Sequence, residues 1–229
     1  MSQKKHTSST NKLIHQSIDE RLAQTVVLLN RQYEIIQHLS SKREIEVLSS
    51  IEKEMSSGSQ TVQSLYPVYE YIFSLIDNLV RYQKILNVTP KISQKEKSIV
   101  EYNKVLEPLK QARNQIQHIN NDIENSFSGP ILGSICWNKG LTQYIVVLGD
   151  IGRSRSTPSI ALDTHTGSFV AELCYVYNET YHDLHKAVSE TQTIHEWLSN
   201  TITIVIDGAA YDPNSHFQAL KVEVVLNPN

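Results

Sequence analysis

The sequence predicts an α+β protein: an antiparallel bundle of four to five helices, then a smaller strand-rich region carrying one helix. Three observations point there. Apolar residues recur at three- and four-residue steps through the first half, the period of an amphipathic helix. The texture changes at Ser126-Phe127-Ser128-Gly129-Pro130, after which short β-type runs alternate with turn signals. Apolar residues make up 40% of the 229 positions and charged ones 20%, a composition able to bury a core.

These features divide the chain into a tail over 1–10, a helical bundle over 11–126 and a strand-rich α+β region over 127–229. Met1 to Thr10 is polar and basic with no apolar stretch behind it, so a loose tail is expected rather than a secretory leader. From Asn11 to about Leu39, residues such as Leu22, Val26, Leu29 and Ile36 line one helical face. A second, more charged helix is expected over Lys42 to Met55, stopping at Ser56-Ser57-Gly58-Ser59, residues that favour caps and turns. A third runs from about Val62 to Leu86, with Pro67 tolerated in its first turn. Helical character resumes at Ser93, a candidate cap, and continues to about Asn125 with a kink or interruption near Pro108.

In the second half, β-type runs lie at Ile131–Trp137, Gln143–Leu148, Ser159–Leu162, Phe169–Tyr177, Thr201–Ile206 and Ala219–Leu226. One helix interrupts them over Glu179 to Leu198, with Tyr181, Leu184, Val188 and Trp197 expected to face inward. The junction at 127–130 is too short for a free linker, so the two halves are expected to touch.

Composition narrows the function classes. A net charge of −3 argues against a surface coated for bulk nucleic-acid binding, while leaving room for a local positive cleft. No stretch approaches the roughly 20 apolar residues that cross a bilayer, so no membrane partner is expected. Cys136 and Cys174 are too few for a disulfide scaffold or a four-cysteine zinc site, and their apolar neighbours mark them as small buried hydrophobes. A reducing, cytoplasmic setting is the expectation.

The most informative segment is Gln111-Ala-Arg113-Asn114-Gln-Ile-Gln-His118, near the end of the last long helix of the bundle. Asn114 and His118 are four apart and share a helical face, and the long Arg113 side chain can reach the same cleft. The set suits phosphodiester cleavage without a metal. A histidine titrates near neutrality and can move a proton. An arginine presents a fixed fork of donors to phosphate oxygens, and an amide can orient either one. The same spacing also fits a plain polar face, on which Arg113 pairs with a carboxylate and His118 covers a neighbouring helix.

The Arg-Asn-x-x-x-His signature on the last helix of a short all-α bundle resembles the HEPN family. An upstream helix carrying an acid among apolar residues, Tyr71-Ile-Phe-Ser-Leu-Ile-Asp77-Asn-Leu-Val80, resembles it too. The resemblance covers roughly residues 11–125. It implies a metal-independent endoribonuclease of the kind found in toxin–antitoxin, CRISPR and anti-phage systems, working as a homodimer with the motifs facing each other. It further implies Arg113 and His118 as catalytic residues, Asn114 as the polar companion, and 2′,3′-cyclic phosphate products. Asp77 is then expected to hold Arg113, against the alternative of an ion pair with Arg81 one turn on. Neither a metal nor an organic cofactor is implied; an antitoxin or regulatory partner is compatible with the resemblance but is not fixed by it. Many members of that family do not cut, so a non-catalytic RNA- or protein-binding regulatory module is the alternative reading.

Other constellations are weaker. His182, His185 and His195 fall in the predicted second-half helix, the first two on one face, and read as surface or packing histidines rather than a metal site. The loop from Gly149 to Pro158 carries Arg153 and Arg155, a modest phosphate-attracting patch that could guide RNA. It lacks the glycine spacing of a dinucleotide site and the ending of a P-loop. No serine sits in a nucleophile elbow.

Overall fold

The computed structural model describes residues 18–59, 61, 63–117, 132–147, 159–177, 180–207 and 221–226. Helix α1 (Ile18–His38) runs without a break through a π-helical turn, Leu39–Arg43, into α2 (Glu44–Ser57). The sequence predicts two separate helices here, but the serines do not stop the chain. Ser41 Oγ donates back to the Gln37 carbonyl at 2.6 Å, satisfying itself within the helix. The π turn absorbs the change of apolar phase between the two segments. The stop comes at Gly58, whose φ of +67° closes α2 while Ser59 N–H donates to the Glu54 carbonyl at 3.1 Å.

Helix α3 (Tyr66–Asn87) starts after a 3₁₀ turn at Gln63–Leu65, with Pro67 in its first turn. Helix α4 (Lys97–Gln117) begins later than the expected start at Ser93, because the Ser93 hydroxyl caps a preceding turn by accepting from Lys95 N–H at 3.3 Å. Pro108 lies inside α4 without interrupting it, on the exposed side. There the carbonyl it leaves without a donor can face water. The predicted continuation to Asn125 lies outside the described residues.

Cross-helix contacts fix the directions. Gln32 bonds Asn78 while Glu44 bonds Tyr71, so the α1–α2 rod is antiparallel to α3. Asn103 bonds Gln83 while Arg113 bonds Asp77, so α4 is antiparallel to α3.

The second half holds β1 (Ser134–Lys139), β2 (Thr142–Val147), β3 (Leu162–Asp163), β4 (Ser168–Phe169), β5 (Leu173–Tyr177) and β6 (Thr180–Asp183). They are followed by α5 (Leu184–Thr201), β7 (Ile202–Asp207) and β8 (Lys221–Leu226). An antiparallel sheet has the order β2-β1-β5-β6, and β3–β4 and β7–β8 form separate ribbons. Two strand expectations are corrected. Phe169–Tyr177 is two short strands rather than one, and of Ser159–Leu162 only Leu162 enters a ladder.

The helix expected from Glu179 is also corrected. Thr180–Asp183 is the edge strand β6, with His182 opposite Tyr175 and Tyr181 opposite Val176. Asp183 then caps α5, its carboxylate accepting from Lys186 N–H at 2.9 Å. Tyr181 is consequently exposed rather than inward, whereas Leu184 is buried and Val188 and Trp197 are half-buried.

Alternation along the sheet builds two cores. Ile135, Trp137, Leu173, Tyr175 and Tyr177 face the helices and join the bundle residues in one continuous apolar cluster. Cys136, Cys174 and Val176 face the other way, against Ile160 and Phe169. The two halves therefore pack through a shared interior. Burial pushes the Cys136 thiol up to about 11 and the Cys174 thiol to about 12, so neither is poised as a nucleophile.

Candidate functional site

Arg113 and Asp77 meet across the α3–α4 seam because both helices turn a polar stripe to the same edge. On α3 the apolar residues Ile72, Leu75, Ile76 and Leu79 point into the bundle, which leaves Glu70, Ser74, Asp77 and Arg81 along the outer face. On α4, Leu106, Leu109 and Ala112 face inward and Arg113 follows at the edge of the buried stripe.

Asp77 Oδ1 accepts from Arg113 Nε at 3.0 Å and from a terminal guanidinium nitrogen at 2.5 Å. Its other oxygen accepts from Arg81 at 2.8 Å. The two expected partners of Asp77 are thus engaged at once, one per carboxylate oxygen. The second terminal nitrogen of Arg113 points at Asn114 Oδ1, 3.4 Å away. Partial burial raises the Asp77 carboxyl, but the hydrogen bonds and charges of Arg113 and Arg81 outweigh it and hold the group below its ordinary value. The carboxylate stays ionised and the Arg113 fork stays aimed.

A cleft of about 620 Å³ opens beside this pair, lined by Glu70, Phe73, Ser74, Asp77, Asn78, Arg113 and Gln117. Asn78 is braced from α1 by the Gln32 side chain and donates to the Ser74 carbonyl at 2.6 Å. Phe73 is held by Tyr69, with ring centroids 5.6 Å apart, and by Tyr175 of β5 in an edge contact at 6.1 Å. Glu70, Ser74 and Asn78 are spaced by four on α3, as Arg113 and Gln117 are on α4. That spacing was the available signal for lining residues that motif reasoning passes over.

Of the residues singled out from sequence, Asp77, Arg113 and Asn114 come together here. His118 lies outside the described residues, as do Arg153 and Arg155. The three second-half histidines do not converge. His182 is buried on β6, stacked 6.1 Å from Tyr175, and not on a helical face with His185. His195 stacks on Tyr33 at 3.9 Å and sits 3.1 Å from the Tyr82 hydroxyl, between α1 and α3. Burial holds both below the ordinary imidazole value.

His185 lies elsewhere again. Its Nε2 is 2.8 Å from Glu44 of α2 and its Nδ1 is 3.1 Å from Glu172, just before β5. Among the described residues no cluster of three or more histidine, cysteine or acidic side chains could hold a metal ion. No described helix is long and apolar enough to cross a membrane. No protein-family model, curated protein or solved structure matches the chain.

Proposed function

We propose that the Arg113 cleft is the phosphate site of a metal-independent endoribonuclease of HEPN type, acting as a homodimer. The observation that carries this reading is the Asp77–Arg113 pair at the rim of a cleft. An arginine fixed by a carboxylate through Nε and one terminal nitrogen, with its other terminal nitrogen directed at Asn114, still has one uncommitted N–H on each terminal nitrogen to offer a second anion.

His118, four positions after Asn114 in the sequence, supplies the titrating group. In the cleavage step a base takes the proton of the RNA 2′-hydroxyl, and the 2′-oxygen attacks phosphorus. The bond to the 5′-oxygen then breaks as that oxygen receives a proton. His118 and its symmetry mate divide the two proton transfers, and the Arg113 guanidinium stabilises charge on the non-bridging oxygens. Two copies supply both proton-transfer groups and two cations, which one motif lacks. The products are a 2′,3′-cyclic phosphate and a 5′-hydroxyl.

The alternative is a binding module that does not cut. The charge of the cleft favours it, since Glu70 and Asp77 offset Arg81 and Arg113. Incubating a mixed RNA pool with the protein under excess chelator separates the two. The enzyme reading expects cutting that survives chelation and is lost in folded, dimeric His118→Ala and Arg113→Ala. Absence of cutting, or equal cutting by the variants, removes it in favour of the binding module.

A further inference from the structure

Taking the Arg113 cleft to be an RNA site, as proposed above, we infer that its α3 wall reads the base beside the bound phosphate and selects guanine through Glu70. Two polar groups in the cleft serve no internal purpose among the described residues. Glu70 and Ser74 are both exposed, their carboxylate and hydroxyl have no hydrogen-bond partner there, and both line the same cavity as Arg113, so both are open to a ligand. Three other acids on these helices are tied up: Asp77 by two arginines, Glu107 by Lys110, and Glu44 by Tyr71 and His185.

An unpaired carboxylate beside a phosphate site repels the backbone it must admit, so it needs a compensating attraction. A base edge supplies one. Glu70 lies seven positions before Asp77, about 10 Å along the helix axis. Seven positions are nearly two full turns, so Glu70 and Asp77 share one face of α3, and Glu70 meets a different part of a strand whose phosphate is held by Arg113. Phe73 stands between them in sequence and lines the same wall, locked by Tyr69 and Tyr175, which makes it a platform for a base face.

The donor pattern then chooses among bases. Two carboxylate oxygens accept two hydrogens, and guanine alone presents two adjacent N–H donors on its Watson–Crick edge, N1–H and the 2-amino group. Adenine and cytosine each place a ring-nitrogen acceptor beside their amino donor, and uracil flanks its N–H with two carbonyls. Each of these would set a lone pair against the carboxylate.

The test uses the full chain and uridine hexamers with one central guanine, inosine, adenine or cytosine. Full 2′-fluoro substitution removes the 2′-hydroxyl, so binding is read by fluorescence anisotropy without cleavage. The guanine oligomer should bind roughly tenfold tighter than the adenine one, the scale of one bidentate pair. Inosine, lacking the 2-amino group, should fall between them. Glu70→Gln should reverse the order in favour of adenine and cytosine, whose donor–acceptor edges match an amide.

Equal affinity for all four bases, no binding at all, or a uniform gain for every base in Glu70→Gln would overturn the inference. Mapping cleavage on ordinary RNA keeps the two proposals apart. Cutting without a base preference leaves the nuclease standing and removes Glu70 as the reader. Glu70-dependent guanine binding without cutting does the reverse.

Discussion

Asp77 Oδ1 on α3 accepts two hydrogen bonds from the Arg113 guanidinium on α4, at 3.0 and 2.5 Å, although the residues are 36 apart in sequence. With side chains 29% and 22% exposed, the pair is neither a free surface contact nor a sealed ion pair. It is placed to aim a cation while leaving it reachable.

Asp77→Asn keeps the shape of the side chain and removes the charge that fixes Arg113. On the proposed nuclease reading, cleavage should fall about tenfold to hundredfold through misplacement of the guanidinium, mostly in kcat, with circular dichroism unchanged. A variant that melts earlier yet cuts normally at low temperature would reduce the pair to a structural contact. Acid should also expose it. The Asp77 carboxyl is held below its ordinary value, so its contribution is present above about pH 4 and is lost as pH falls through the lower folded value. The melting difference between wild type and variant should shrink on acidification.

The opposite pH dependence is expected at His185. Both ring nitrogens face carboxylates, and a neutral imidazole has only one N–H to give, so the arrangement requires the doubly protonated ring. The Glu44 hydrogen bond, opposed by burial and aided by Glu172, raises its affinity for the proton. A raised folded value means the stabilisation is complete below the ordinary value of about 6.5 and fades as pH rises through the folded one. Melting temperatures of wild type and His185→Gln should therefore differ most in mild acid and converge in mild alkali. A constant gap across that range would show that the latch does not titrate.

Gly133 approaches the sheet where no side chain fits. Its φ is +79°, and a Cβ there would lie 2.4 Å from the Val176 carbonyl oxygen and 3.0 Å from the Tyr175 ring. Gly133→Ala should cost about 2–4 kcal/mol, from the left-handed backbone and from displacement of β5. Urea unfolding measures it; a loss below roughly 1 kcal/mol would mean that the loop moves aside freely.

Two core substitutions distinguish packing from hydrogen bonding. Leu79 is fully buried in α3, and Leu79→Ala should destabilise by about 2–5 kcal/mol. The Tyr102 hydroxyl meets the Thr191 hydroxyl at 3.2 Å, linking α4 to α5, and Thr191 also donates to the Ala187 carbonyl. Because Thr191 keeps that second partner, Tyr102→Phe should lose only about 1 kcal/mol. If the halves unfold together, both variants shift a single urea transition; two separated transitions would contradict the shared core.

The helices were legible in the sequence because their apolar residues obey a local rule. Residues three and four apart share a face, so Leu22, Val26 and Leu29 declare a buried stripe wherever the helix packs. Three boundaries were not legible. The serines at 40 and 41 look like a stop but bond within the helix, Ser93 caps a turn rather than α4, and Thr180–Asp183 looks helical until it pairs with β5. In each case a long-range or backbone partner outweighs a weak local preference.

For the site, the sequence alone determined which chemistry was available: an arginine, an amide and a histidine within two helical turns, and an acid on an earlier helix. Only the tertiary structure decided that Asp77 grips Arg113 and Arg81 together, that Glu70 and Phe73 share their cleft, and that the second-half histidines scatter to separate partners. The physical reason is range. Periodicity records neighbours one turn away along the same helix. Contacts such as Arg113 with Asp77 or His185 with Glu44 join residues 36 and 141 positions apart, and they exist only once the antiparallel rods and the sheet have packed.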